Sequence, residues 1–292
     1  MKESDSLKPL RSPLRYPGGK AFLCKYMARF LHHNKLHPEL FVEPFAGGGS
    51  ISLYLLGKGL VDKVALYDRD PLLASFWQTV FTDGPWLRDK VRRANVTLKA
   101  WTKLHGAALN GNRSNAWKCL FLNRTSFSGI LSTRAGPLGG QSQSSEFTID
   151  CRFYRDTIAK RLRELWDARG NVEEVGAVDW RATIERYRKK GLQDQNACFL
   201  YLDPPFFHKA KRLYNYCFED TEHEAVIRRL STLKIPWLLS YDNCKEAVSL
   251  FRKHGVRYRF VSVRYTSSAR QSRDVKKELV ASNLPLPKGT IE

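Results

Sequence analysis

Two hydrophobic patterns recur along the chain, short unbroken apolar runs and longer amphipathic stretches, and their order predicts an α/β protein. Leu40-Phe41-Val42-Glu43-Pro44-Phe45 reads as a short strand running into Ala46-Gly47-Gly48-Gly49-Ser50, followed by a helical pattern from Ile51 to about Gly57. Val64 to Tyr67 reads as a second strand ending at Asp68, and Asp70-Pro71 opens another helix, since Asp caps free amides and Pro suits a first turn. From about Phe81 to Gln195 the pattern is mixed. Helical stretches (Leu87 to Leu104, Cys151 to Trp166, Trp180 to Lys190) surround a Gly/Ser/Gln-rich loop, Gly136 to Ser145, expected to order on a partner. Strand signals return at Ala197 to Leu202, Trp237 to Ser240, Arg257 to Tyr265 and Lys277 to Ser282, with a helix start at Thr221-Glu222-His223-Glu224. The expected fold is a doubly wound parallel sheet with an inserted basic, mainly helical module. Residues 1–81 and 196–292 build the sheet domain and residues 82–195 the insert.

Charge changes this picture from a generic nucleotide-binding sheet to one that meets a polyanion. The 292 residues carry 49 Lys and Arg against 29 Asp and Glu, a net of +20, and residues 86–195 hold half of that surplus, interleaved with Trp101, Trp117, Phe121, Phe127, Phe153 and Tyr154. Basic side chains displace counterions from phosphates, and aromatic rings stack on bases. At 42% hydrophobic the chain has ample core material and is no disordered basic tail. No run approaches the ~18 apolar residues a membrane helix needs, and residues 1–13 show no apolar secretory segment, so a cytoplasmic, nucleoid-associated protein is expected, with a monomer favoured. Six cysteines without a C-x-x-C pair read as reduced thiols, with no metal site.

The glycine loop is neither a dinucleotide fingerprint nor a Walker loop. Its glycines let the backbone approach a ligand closely, and Asp68, 19 residues after Gly49, stands where an acid accepts ribose hydroxyls. Together they favour an adenosine-type cofactor without a tightly held pyrophosphate. Asp203-Pro204-Pro205-Phe206 ends a strand in two residues that lack N–H groups. One carboxylate, one fixed carbonyl and one aromatic face then suit a planar group that bears an NH₂.

In order along the chain stand Arg15-Tyr16-Pro17-Gly18-Gly19-Lys20, Phe41 to Gly49, Leu122-Asn123-Arg124-Thr125-Ser126-Phe127-Ser128-Gly129, Asp203 to Phe206, Ser240-Tyr241-Asp242-Asn243 and Glu278-Leu279-Val280-Ala281-Ser282-Asn283. On these six segments the chain resembles the Dam-like (D12 class) N6-adenine DNA methyltransferases. The resemblance implies a Rossmann-like methyltransferase sheet, S-adenosylmethionine as cofactor and double-stranded DNA as partner. It implies that Tyr16, Lys20, Glu43, Phe45, Gly47, Gly49, Asp68 and Asp203 bind the cofactor, with Lys20 facing the methionine carboxylate and Asp68 the ribose. Asp203, Pro204, Pro205 and Phe206 would be catalytic. Arg124, Phe127, Ser128 and Arg134 are the expected DNA contacts. The family more often has Tyr at the position of Phe206. Its best-studied members carry Tyr-Asn where Phe127-Ser128 stand and Arg at the position of Ser132, so a GATC target is not carried over. The expected reaction is site-specific methylation of N6 of a flipped adenine, in a restriction-modification or solitary setting. The alternatives are N4-cytosine in DNA, adenine in RNA, or a DNA-binding protein of this fold without turnover.

Overall fold

In the computed structural model, which describes residues 7–16, 19–190, 194–208, 216–264 and 275–288, seven strands form one sheet. They are β1 (Leu40–Glu43), β2 (Lys63–Tyr67), β3 (Val172–Gly176), β4 (Phe199–Leu202), β5 (Trp237–Asp242), β6 (Tyr258–Arg264) and β7 (Val275–Ser282), in the order β3-β2-β1-β4-β5-β7-β6. Strands β3 to β5 in that order run parallel, and β7 pairs antiparallel with both neighbours. The strands of the middle are buried on both faces, which is why they read as unbroken apolar runs. Phe199 and Tyr201 of β4 pack with Phe41 of β1 against helix α1 (Cys24–His33), whereas Leu200 and Leu202 pack with Val42 on the opposite face. Each such side chain contributes roughly 1.5–3 kcal/mol on burial.

Helix α2 (Ser50–Gly57) follows the glycine loop, and α3 (Pro71–Thr82) starts where expected, with Asp70 accepting from the Leu72 amide at 2.9 Å and Pro71 in the first turn. A helical layer then packs on α3: α4 (Gly84–Arg92), α5 (Leu98–Gly106), α6 (Asn112–Thr125) and α7 (Arg155–Asp167). Helix α8 (Trp180–Lys189), α9 (Asp220–Ser231) and α10 (Lys245–Lys253) cover the sheet face opposite α1.

Several expectations change. The stretch Leu87 to Leu104 is two helices, because Thr97 leaves helical backbone and caps α5, accepting from the Ala100 amide. Helix α9 begins at Asp220 after Glu219, which makes no side-chain cap, so the Thr221 capping box is not used. Residue 265, the expected end of the sixth strand, lies outside the described residues. The loop Gly136 to Ser145 is held by its own bonds: Gln143 donates to the carbonyls of Leu138 and Gly140 and accepts from the Ile149 amide at 2.8 Å. The span 82–195 divides. Strand β3 lies inside it yet pairs with β2 as the sheet's edge, and α8 joins the sheet's core, which leaves α4 to α7 as the added layer.

Candidate active site

The parallel strands β1, β2 and β4 all end on one cleft, and every one of the eight expected cofactor-binding residues lines it: Tyr16, Lys20, Glu43, Phe45, Gly47, Gly49, Asp68 and Asp203. The cleft lies at the carboxyl ends of the parallel strands, where sheets of this kind bind their ligands. Its shape starts at Gly47, with φ +46°. The Gly47 amide donates to Asp68 Oδ2 at 2.9 Å, and its carbonyl accepts from the Trp77 indole at 2.9 Å. Tyr16 lies so close that a Cβ on Gly47 would stand 2.7 Å from its ring. Gly49, at φ +63°, turns the chain into α2.

Asp68 also accepts from the Asp70 amide at 2.9 Å, so each carboxylate oxygen takes one backbone N–H and keeps a lone pair for a hydroxyl. Burial, followed by the charge of Asp70, pushes its carboxyl up to about 7 against those two amides. Glu43, 2% exposed, accepts from the Ser52 amide, and burial pushes it up to about 8. On the far side Phe45, Trp180 and Phe218 form an aromatic wall, with Phe45 and Phe218 rings 5.7 Å apart edge to face. An apolar slot, a hydroxyl acceptor and the carboxyl groups of Glu43, Asp68 and Asp203 line the cleft. Burial holds Glu43 and Asp68 toward their neutral forms, so of the three Asp203 carries the largest share of negative charge near neutral pH.

Asp203 follows β4, where Pro204 and Pro205 cannot continue a ladder. Its Oδ1 accepts from the Ser240 hydroxyl at 2.8 Å, and Ser240 lies 2.9 Å from the Tyr201 hydroxyl. Lys20 Nζ stands 3.7 Å from the same Oδ1. Burial pushes Asp203 up to about 6; Lys20 and Ser240 oppose the shift, and Glu278 and Asp242 add to it. Pro205 lines the cleft, Pro204 is buried behind it, and the half-buried Phe206 ring lies 5.0 Å from Lys20 Nζ.

Lys20 lines the cleft and is 4% exposed; its ammonium donates to Glu278 Oε2 at 3.1 Å and lies 3.7 Å from Asp203 Oδ1, so it meets two carboxylates of the protein within the site. Ser240 and Glu278 stand in two of the six segments with no task legible in the sequence, and no sequence signal marks Trp77 behind the glycine loop.

The expected DNA contacts separate into three surface residues and one interior one. Phe127 is 61% exposed at the tip of a short turn, Ser128 beside it sits at φ +55°, and Arg134 is exposed. The turn is pinned by Phe127 N to Gly136 O at 2.9 Å and by the Asn123 amide to Gly129 O at 2.8 Å. Gly129 and Leu131 continue into the same cleft. Arg124 is a correction. It is 4% exposed, and its guanidinium donates to the Pro13 carbonyl at 2.6 Å and to the Arg152 carbonyl, so it ties the N-terminal segment to α6 and has no face for DNA.

A sheet ordered β3-β2-β1-β4-β5-β7-β6 with one antiparallel strand, a glycine loop after β1 and an acid after β2 defines a Rossmann-like methyltransferase. The sequence profile of the D12 class N6 adenine-specific DNA methyltransferase family matches residues 16–268, and the chain belongs to that family. It is therefore an adenine-specific DNA methyltransferase that uses S-adenosylmethionine and acts on double-stranded DNA. No curated protein matches the chain. Among the described residues no helix is long and apolar enough to cross a membrane.

Proposed function

We propose that the enzyme draws its target adenine out of the duplex into the cleft and presents its N6 to the methyl donor with Asp203 and the Pro204 carbonyl. The observation that carries this reading is the position of Asp203, gripped on one oxygen at the rim of the cleft that the glycine loop and Asp68 shape. The residues suit S-adenosylmethionine. Phe45, Trp180 and Phe218 offer an apolar wall for its adenine, Asp68 an acceptor for its ribose, and the glycine loop close passage for its tail. Asp203, the most readily ionised of the three carboxyls, favours its cationic centre, which in turn draws Asp68 and Glu43 toward ionisation. When bound, the cofactor supplies the methyl group on a sulfonium.

The protein's own part is to hold an amine that is a poor nucleophile. The N6 lone pair is delocalised into the ring. Asp203 Oδ2 and the Pro204 carbonyl each accept one N6–H, which turns the lone pair toward the donor and stabilises positive charge as it develops on nitrogen. Phe206 stacks on the extruded base. The proton can leave after transfer, so no strongly basic residue is required. A duplex binds across the turn that carries Phe127, Ser128 and Arg134, where an exposed aromatic can wedge between bases and an arginine can meet a phosphate or a guanine.

Two outcomes follow. Asp68→Ala is expected to raise the KM for S-adenosylmethionine about tenfold or more with kcat within about threefold, the signature of lost uniform binding. An equal fall in kcat would place Asp68 in the transfer step. Arg134→Ala, assayed on a panel of duplexes, is expected either to relax sequence preference or to reduce the salt slope of binding by about one, and Phe127→Ala, which removes no charge, to relax preference or weaken binding with the slope unchanged. Variants that bind and methylate every duplex as the parent does would remove this turn from the DNA interface.

A further inference from the structure

Lys20 is a buried ammonium shared between two carboxylates that arrive from different parts of the sheet. Glu278, 8% exposed, lies 3.1 Å from Nζ, and Asp203 lies 3.7 Å from it, so the lysine leans toward Glu278. Strand register explains how a residue so late in the chain gets there. β7 runs antiparallel into the sheet, and Glu278 pairs with Asp242 at the carboxyl end of β5, the edge on which the cleft opens. The next partner of Asp203, Ser240, comes from the same β5.

We propose that Glu278 is a positioning residue for methyl transfer, which holds Lys20 off Asp203 and thereby fixes both the place of the Asp203 carboxylate and the share of its charge that reaches the target amine. The physical reason lies in what Lys20 would do alone. With Glu278 neutral, the buried ammonium is drawn toward the other carboxylate beside it, closes on Asp203 and cancels much of the charge that the N6–H bonds and the developing cation depend on. With Glu278 present the three groups sum to one negative charge, and Asp203 keeps acceptor strength while still anchored. The inference rests on the functional reading of Asp203 given above and adds a residue that touches neither substrate nor cofactor in that reading.

Among the described residues, the groups facing Asp203 include Lys20 from the N-terminal turn, Ser240, Tyr241 and Asp242 from β5, Glu278 from β7, Glu43 from the end of β1 and the Tyr201 hydroxyl. The test compares Glu278→Gln, Glu278→Asp and Lys20→Met with the parent, by kcat against pH and by ¹³C NMR titration of the Asp203 carboxyl. Glu278→Gln removes a neighbouring negative charge. Its acidic limb and the Asp203 titration should both move to lower pH, while the plateau kcat falls about tenfold and the KM for S-adenosylmethionine stays within about threefold. Lys20→Met removes the cation and should move the Asp203 titration the other way. Glu278→Asp should recover most of the lost rate. An unchanged titration in folded Glu278→Gln, or a shift of the same sign in both charge-removing variants, overturns the proposal. Should Glu278→Gln fail to fold, Glu278→Asp and Lys20→Met still decide by the presence and sign of the NMR shift. If the parent itself methylates no DNA, the functional reading fails, and the NMR titration alone still judges the coupling of Glu278, Lys20 and Asp203.

Discussion

Asp203→Ala is expected to lower kcat by about 10³-fold or more while duplex affinity changes by no more than about threefold. Removing one preorganised acceptor from a developing charge costs about 10²–10³ in rate. Here the same carboxylate also orients the amine, so the larger end of that range applies. The fold should survive, because Lys20 keeps Glu278 as its nearer partner and Ser240 keeps the Tyr201 hydroxyl. Equal loss of transfer and of DNA binding would show that Asp203 holds the duplex and has no special part in the chemistry. The parent enzyme carries a pH counterpart. A protonated Asp203 donates where it should accept, and burial pushes this carboxyl up to about 6. The rate under limiting cofactor should therefore fall as pH drops below that value. A bound sulfonium favours the ionised form, so the limb in kcat should lie lower than the limb in kcat/KM.

Gly47→Val should weaken S-adenosylmethionine binding by about 100-fold or more, measured by calorimetry, with affinity for duplex DNA retained. Three features meet at this residue. Its φ of +46° strains any β-branched side chain. Its Cβ would stand 2.7 Å from the Tyr16 ring and displace it from the cleft wall. Its amide and carbonyl hold Asp68 and Trp77, so a shift of the backbone also moves the proposed ribose acceptor. A hundredfold loss is about 2.7 kcal/mol, within reach of strain, steric displacement and one misplaced hydrogen bond together. A variant that binds cofactor as the parent does would show that the glycine loop is only a turn and that the cofactor lies elsewhere.

The parts of this architecture that sequence revealed are those whose signal is local. β1, β4 and β5 are buried on both faces, and an apolar run bounded by Gly or Pro announces such a strand directly. Asp70-Pro71 announced α3 because both the cap and the first-turn proline are chemical necessities at one place. Strand β3 stayed hidden: Val172-Glu173-Glu174-Val175-Gly176 carries two glutamates, tolerable at a sheet edge where Glu174 accepts from the Tyr67 hydroxyl and pairs with Arg186. Helix α6 gave a weak periodic signal because its second half, Cys119 to Thr125, is buried all round and shows no polar face.

The site divides the same way. The residues expected to bind the cofactor line one cleft, since most of them sit at or just after strand ends in short segments of fixed local geometry. Arg124 misled, because a charged side chain beside Phe127 reads as a phosphate contact when nothing in the sequence reveals that the Pro13 and Arg152 carbonyls satisfy it inside. Lys20 and Glu278 are 258 positions apart, and only the antiparallel entry of β7 brings them together. No local pattern encodes such a pair.

The most direct test of the account is transfer of labelled methyl from S-adenosylmethionine to unmethylated genomic DNA by the purified protein, followed by nucleoside analysis. The account predicts label in N6-methyladenine, absent when Asp203→Ala replaces the parent. Label in N4-methylcytosine, or none in any nucleoside while cofactor binding is intact, would contradict it.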